Sequence, residues 1–466
     1  MAYPLRRPWL FLFSLLLLLV PLLSACGGGA TPAPTAIPTP GPTPPPTPGA
    51  TPPPGATPTP VVGATPTPAR TAGPPVKIGV LMPLTGTSAD TGRGMKDGIE
   101  FVVEQIKAGG GIKSLGGTQI TLVVGDDAGV ATTGLGEMER LVTREKVSFV
   151  LGPYLTAVST QTAPVSEKNK VPSMSIRTTG DPIYPLNLTY WRTLAVPSYE
   201  YGQTFTAHLK SLVDEFKLKA DRIALIGEDI AVLKPIMQGA KDDLGKLGWG
   251  GRVVSEVFYD IRAPDLTPQA TAIKGTNPDV AFHIATFSPG IVMARAMDAV
   301  RFYPRTLLGV DTIWGSPKAI TALGQELYDR VMQRPGVFFP AYFDERAGVK
   351  MKAVEEFVAR SASYRQAKGY KVTETDFAMG AQAIYILWKA LEETGSAEPE
   401  KLNTWFRQAK LKEGDPLFII PAFSPEITWQ PNGKPVNARF VLSQWQKDRT
   451  EIIYPKSMRS FEPWLP

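Results

Sequence analysis

From Val76 to Val310 the chain alternates short apolar runs with amphipathic stretches of helical period, and that alternation leaves few architectures open. Val76-Lys77-Ile78-Gly79-Val80-Leu81-Met82 reads as a strand buried on both faces, as in a parallel sheet. After a loop of Gly, Thr and Ser, the residues Met95, Ile99, Val102, Val103 and Ile106 fall on one helical face, and Gly109-Gly110-Gly111 stops the helix. The cycle continues with strand 119–126, helix 132–146, strand 147–152, helix 156–169 and strand 171–176. Past a polar crossing near Arg192 to Pro197 it restarts, with helix 199–216, strand 222–227, helix 231–247, strand 252–259, helix 265–275, strand 279–285, helix 289–302 and strand 306–310. The pattern predicts an α/β protein of two doubly wound lobes with parallel sheets.

From about Val349 the alternation stops. Helices 350–368, 374–394 and 398–410 have no partner strands, which implies that the chain returns to cover the first lobe. In the tail, Pro431-Asn432-Gly433-Lys434 and Lys447-Asp448-Arg449-Thr450 look like hairpin turns between strands.

The first 75 of the 466 residues are of another kind, with no Asp or Glu and only Arg6, Arg7 and Arg70 as basic groups. Arg6 and Arg7 precede an apolar run of 15 residues, Trp9 to Leu23. That run is shorter than the roughly 20 residues a spanning helix needs, so residues 1–25 read as a signal peptide. It closes on Leu23-Ser24-Ala25-Cys26, which resembles a bacterial lipobox and implies cleavage before a lipidated Cys26. Residues 26–75 then form a linker whose 18 prolines between Gly27 and Pro75 favour extended polyproline II, with a reach of up to roughly 150 Å. The mature chain is expected outside the cytoplasm, tied to the outer face of the membrane.

Without the three N-terminal arginines the remainder carries 46 Lys and Arg against 43 Asp and Glu, with no basic tract, so a nucleic-acid partner is not suggested. One cysteine excludes an intrachain disulfide, and two histidines, His208 and His283, leave little for a metal site. His208 sits among Phe205, Leu209 and Leu212 and His283 in an apolar strand, so packing or surface roles are expected rather than catalysis. There is no Gly-x-Ser-x-Gly, His-Glu-x-x-His or phosphate-loop pattern, and Asp126-Asp127 reads as loop charge or a helix cap. Gly92-Arg93-Gly94-Met95-Lys96-Asp97-Gly98 has three residues before its last Gly where a dinucleotide loop has two. No enzyme, cofactor or metal is expected. What remains is the crevice beyond the strand ends, where Thr85-Gly86-Thr87-Ser88, Gly152-Pro153-Tyr154-Leu155-Thr156 and Arg177-Thr178-Thr179-Gly180 share one end of a sheet.

Val76 to Gly86, Gly109-Gly110-Gly111-Ile112, Val123-Val124-Gly125-Asp126-Asp127 and Trp191-Arg192-Thr193 together resemble the leucine/isoleucine/valine-type substrate-binding proteins of ABC importers, a periplasmic binding protein type I family, over roughly residues 76–455. The resemblance implies two Rossmann-like lobes joined by a three-stranded hinge. One lobe comprises 76–194 plus 339–424, and the other 195–338 plus 425–466, tail included. It implies an amino acid or analogue as ligand and an ABC permease as partner. The same two-lobed receiver also suits a sensor that presents its closed state to a membrane signalling protein.

Residue by residue, the resemblance assigns the ligand carboxylate to Thr156 and Thr179, and the ammonium to the Arg177 carbonyl and to Asp311 in the second lobe. Thr91 stands where a first-lobe Tyr often lies, Val232 near a second-lobe Tyr, and Phe287 near a further aromatic. Trp314, three residues past Asp311, could supply a different wall, and the loss of two Tyr walls argues against a branched-chain ligand. Gly129 and Leu155 fall where some relatives have a disulfide. The Arg177 side chain is expected to be solvated on the cleft rim; pointing inward, it would favour an anionic ligand.

Overall fold

The computed structural model describes residues 71–466 except Gly180, Lys371, Asn437 and Asp448, and the side chain of Asp311 also lies outside the described residues. The expected signal peptide, Cys26 and most of the expected linker therefore lie outside the described residues. The linker's last residues already touch the folded unit, because the Gly73 N–H donates to Thr118 Oγ1 at 2.8 Å.

The chain runs through β1 (Val76–Met82), α1 (Ala89–Ala108), β2 (Ile120–Asp126), α2 (Ala131–Glu139), β3 (Phe149–Leu151), α3 (Thr156–Asn169), β4 (Ser173–Ser175) and β5 (Trp191–Thr193). These strands make an all-parallel sheet in the order β2-β1-β3-β4-β5. Next come α4 (Ser198–Phe216), β6 (Ile223–Glu228), α5 (Lys234–Lys246), β7 (Val253–Tyr259), α6 (Thr267–Gly275), β8 (Val280–Ile284), α7 (Phe287–Ala299) and β9 (Thr306–Gly309). Three short helices follow, α8 (Asp311–Trp314), α9 (Lys318–Leu323) and α10 (Gln325–Val331), and then β10 (Val337–Ala341). The return carries α11 (Lys352–Ala367), α12 (Thr375–Thr394), α13 (Pro399–Gln408), β11 (Leu411–Lys412), β12 (Glu426–Ile427), β13 (Val441–Gln446) and β14 (Arg449–Tyr454). The second sheet has the order β14-β13-β10-β9-β8-β6-β7, parallel except at β13, which is antiparallel to both of its neighbours, β10 and β14.

The doubly wound expectation is met in both lobes, and the return covers the first one. α12 is buried on all sides over its unbroken stretch Phe377–Leu387, which is apolar apart from Gln382. It lies against α1 so closely that a Cβ at Gly98 would stand 2.0 Å from the Phe377 carbonyl oxygen, and one at Gly380 equally close to that of Met95. The glycine-rich stretch 92–98 is therefore a helix-packing surface, which explains its misfit to a dinucleotide loop.

Two expectations about the lobes need correction. The boundary at Phe339 would split β10, but Phe339 pairs with Ser443 in the second sheet, so the return starts after Ala341. The reason is that Val337–Ala341 is one unbroken buried run, and a strand of that kind pairs as a unit. Likewise β12 pairs with β11, so the last crossing is the stretch 428–440 rather than the chain from 425. The turn at Pro431 joins no long strands, only a single bridge between Trp429 and Pro435. The turn at Lys447 does join β13 to β14.

Three segments thus cross between the lobes: 194–197, 342–344 and 428–440. The first was expected to be polar, yet Leu194, Ala195, Val196 and Pro197 are all buried. Val196 N donates to Tyr342 Oη at 2.9 Å, Ala422 N to the Tyr342 carbonyl at 3.3 Å, and Trp429 Nε1 to the Thr193 carbonyl at 2.7 Å. Phe440 packs between Tyr201 and Tyr342, with ring centroids 4.0 and 4.5 Å away. The crossings are laced at their carbonyls and packed at their rings, so any movement of the lobes has to pivot here.

Candidate functional site

On the first lobe, two acids at the end of β2 shape the loops beyond the sheet. Asp126 accepts from Leu84 N (2.8 Å), Thr85 N (3.3 Å), Thr85 Oγ1 (2.7 Å) and Ala128 N (2.8 Å). Partial burial raises its pKa, but these hydrogen bonds outweigh that and hold it below the usual carboxylate range. Asp126 is therefore the organiser of the Thr85 loop.

Asp127 is fully buried; Oδ1 accepts from Gly129 N at 2.8 Å, while Oδ2 has no protein partner. Burial pushes its pKa up to about 6, against the Gly129 hydrogen bond and aided by repulsion from Asp126. Since the folded value lies above the unfolded one, near 3.8, the protonated acid is the form that stabilises the fold. That stability is complete below about pH 4 and lost as pH rises through about 6. Asp127→Asn should accordingly be more stable than wild type at pH 7.5, by an amount of the order of 2 kcal/mol, and the gain should vanish near pH 4. Urea melts of both proteins at the two pH values test this; coincident midpoints at pH 7.5 would refute it.

The loops after β3 and β4 are bound to one another by a hydroxyl network that sequence reasoning passed over. Thr178 is buried, with Oγ1 2.6 Å from Ser159 Oγ and 3.2 Å from the Tyr154 carbonyl, and it is also bonded to Ser175 Oγ. Ser175 Oγ in turn donates to the Pro153 carbonyl at 2.7 Å. This fixes Thr156, half-buried at the first residue of α3, relative to Thr179, half-buried two residues past Arg177. The amino end of α3 adds oriented N–H groups, a setting that suits an anion. The Thr179 carbonyl accepts from Ser198 N (2.8 Å) and Oγ (2.9 Å), which couples this loop to the start of α4 just past the first crossing. A Cβ built on Gly129 would stand 3.3 Å from Leu155 Cδ1, so the two positions assigned to a relative's disulfide do adjoin.

Arg177 departs from its expected place. Its side chain is 11% exposed, its Nη1 lies 2.9 Å from Asp376 Oδ1 in the first turn of α12, and its guanidinium is 5.0 Å from the centre of the Tyr342 ring. The returning α12 brings a carboxylate to it, and that is why it is not solvated on the rim. Immediately before α12, Glu374 pairs at 3.8 Å with Lys318 on α9 of the second lobe, so this ion pair spans the two lobes.

The second-lobe wall is built from the ends of β6, β8 and β9. Glu228 ends the apolar strand Ile223–Glu228 fully buried, its carboxylate accepting from Thr286 N and from Thr286 Oγ1 (3.0 Å). Burial raises its pKa, with the Thr286 hydrogen bonds opposing. A lone acid closing an otherwise apolar strand was the signal for it in the sequence. Asp311 opens α8 immediately past β9. Thr91 in α1, Val232 before α5 and Phe287 at the start of α7 are half-buried, with Phe287 resting on the core.

Trp314 is not a wall of the cleft. It is fully buried over Gly309, where a Cβ would come within 1.9 Å of Trp314 Cδ1, and its Nε1 donates to His283 Nδ1 at 3.1 Å. One helical turn after β9 rotates residue 314 back onto the sheet. Because the indole can only donate, His283 holds its proton on Nε2 and donates it to Tyr259 Oη at 3.0 Å. Burial lowers the His283 pKa to about 3, so the ring is neutral and structural. A cavity of about 770 Å³ lies elsewhere, between α4 and the third crossing, and none of the residues singled out for the cleft lines it. Among the described residues no group of three His, Cys, Asp or Glu could hold a metal ion, and no helix is long and apolar enough to cross a membrane.

A profile of the family described as periplasmic binding protein matches residues 75–450. The Leu/Ile/Val-binding protein homolog 8 of Brucella abortus is 22% identical over 387 residues, covering 82% of this chain and 91% of its own. The branched-chain amino acid transporter substrate binding protein LivJ of Streptococcus pneumoniae, solved in complex with isoleucine, superposes with a TM-score of 0.63 at 18% identity, over 82% of this chain and all of its own. A solute binding protein of an ABC transporter from R. palustris, solved with benzoate, gives 0.64 at 16% identity over 81% of this chain and 95% of its own.

Proposed function

The chain belongs to the periplasmic binding protein family, and from that premise we propose that it is the extracytoplasmic solute-binding component of an ABC importer. Its family consists of solute-binding proteins and not enzymes. The ligand is a small polar solute, an amino acid or close analogue, and binding closes the cleft so that the permease meets the closed form. One observation carries the reading: the loops after β3 and β4 are wired into a rigid, hydroxyl-bearing cradle at the carboxyl ends of parallel strands, beside a three-segment hinge. That is where ligands bind in doubly wound sheets.

Thr156 and Thr179 then receive the carboxylate, a group that isoleucine and benzoate, the ligands of the two solved relatives, have in common. Asp311 receives the ammonium, and Thr91 and Phe287 lie along the walls. We place the mature N-terminus at a lipidated Cys26, with the Pro/Thr-rich linker as a spacer between membrane and receptor. An amino acid at about 100 times its dissociation constant should stabilise the folded chain by roughly 2.7 kcal/mol, giving a clear upward melt shift. A thermal-shift screen of amino acids against sugars, neutral amides and dianions tests this. The proposal falls if no amino acid moves the melt while a member of another class does.

A further inference from the structure

We infer that the Arg177–Asp376 ion pair sets the ligand class of this cleft, admitting amino acids whose distal end is an uncharged polar group and rejecting aliphatic ones. The inference rests on the amino-acid reading above and sharpens it. Arg177 comes two residues after β4, and Asp376 stands in the first turn of α12, so both belong to the first-lobe wall. Their side chains are 11% and 17% exposed and meet at 2.9 Å. The contact of Arg177 with Tyr342, in the second crossing, sets the pair beside the hinge. Nearby charges come in balanced couples as well, Glu374 with Lys318 and Asp90 with Arg93.

A methyl group laid on such a pair would strip water from two charges and return no hydrogen bond, and sites built from polar groups reject apolar analogues strongly for that reason. A second carboxylate would be repelled by Asp376 and Glu374 and a second ammonium by Arg177 and Lys318, each offset by attraction to the opposite members, so a net charge gains little from this balanced group. A carboxamide matches both partners at once, its N–H directed to a carboxylate oxygen and its C=O to a guanidinium N–H. Of the other residues singled out for the cleft, Thr91 and Val232 are half-buried and not aromatic, and Trp314 is locked into the core.

The test is calorimetric titration of the full-length chain in detergent with L-glutamine, L-asparagine, L-leucine, L-valine and L-glutamate. Glutamine or asparagine should bind at least tenfold more tightly than leucine, valine and glutamate. Asp376→Asn keeps an acceptor in place while lowering the negative charge beside Arg177, and it should move the preference towards glutamate by a factor of ten or more. A purely structural role for the pair would weaken glutamine and glutamate alike and leave their ratio unchanged, and an unchanged ratio in a folded variant overturns the inference. Leucine or valine binding as tightly as glutamine, or wild type favouring glutamate, overturns the inference and leaves the amino-acid reading intact. No binding by any amino acid in a wider panel brings down that reading and the inference with it. Should the variant not fold, the wild-type ranking decides alone.

Discussion

Asp311→Asn should bind the ligand amino acid about a hundredfold more weakly than wild type, while its ligand-free melt stays where it is. The position follows β9 directly and opens α8 at the carboxyl end of the second sheet, and the family resemblance assigns the ammonium to it. Closure of the cleft removes water from that ammonium. Without a counter-charge, an ion desolvated in this way costs of the order of a few kcal/mol, and a hundredfold in affinity corresponds to about 2.7 kcal/mol. An acid kept for a ligand contributes little to the empty fold, so the two readouts should separate. Calorimetry on both proteins decides; equal affinities would remove Asp311 from the site.

Cys26→Ser should transfer nearly all of the protein from the membrane fraction to the soluble extracytoplasmic fraction. The apolar core of 15 residues from Trp9 to Leu23 is short for a spanning helix, and it leads directly to Leu23-Ser24-Ala25-Cys26. Serine offers no thiol to acylate. One acyl chain anchors only marginally, but each buried methylene contributes about 0.8 kcal/mol, and the several chains of a bacterial lipoprotein hold firmly. Cell fractionation with immunoblotting reads the outcome. If the variant stays with the membrane, an uncleaved helix holds the protein; if wild type is released to the same extent, there is no anchor.

How much of this was legible in the amino-acid order depends on how far apart the interacting residues lie. The span of α3, Thr156–Asn169, and most strands to within two residues follow from periodicity, because helix and strand are set by neighbours a few positions away. The placing of the loops that carry Thr156 and Thr179 beyond the carboxyl ends of β3 and β4 also followed, since loops at strand ends lie where the parallel topology puts them. The role of Gly98 did not: its missing Cβ makes room for the Phe377 carbonyl, far along the chain. Arg177 has the same history, its partner Asp376 being 199 residues away. Trp314 looked like a cleft wall while only its spacing from Asp311 was known, but one turn of helix and the absent side chain of Gly309 seat it in the core. The boundary at β10 was hidden for a related reason, because its partner Ser443 lies in the tail, past the whole return over the first lobe. Local order in this chain writes the elements, their sequence and the end of each sheet where a ligand can sit. Which charged or aromatic side chain faces that ligand is settled by contacts between distant segments, which exist only once burial has brought the two lobes and the returning helices together.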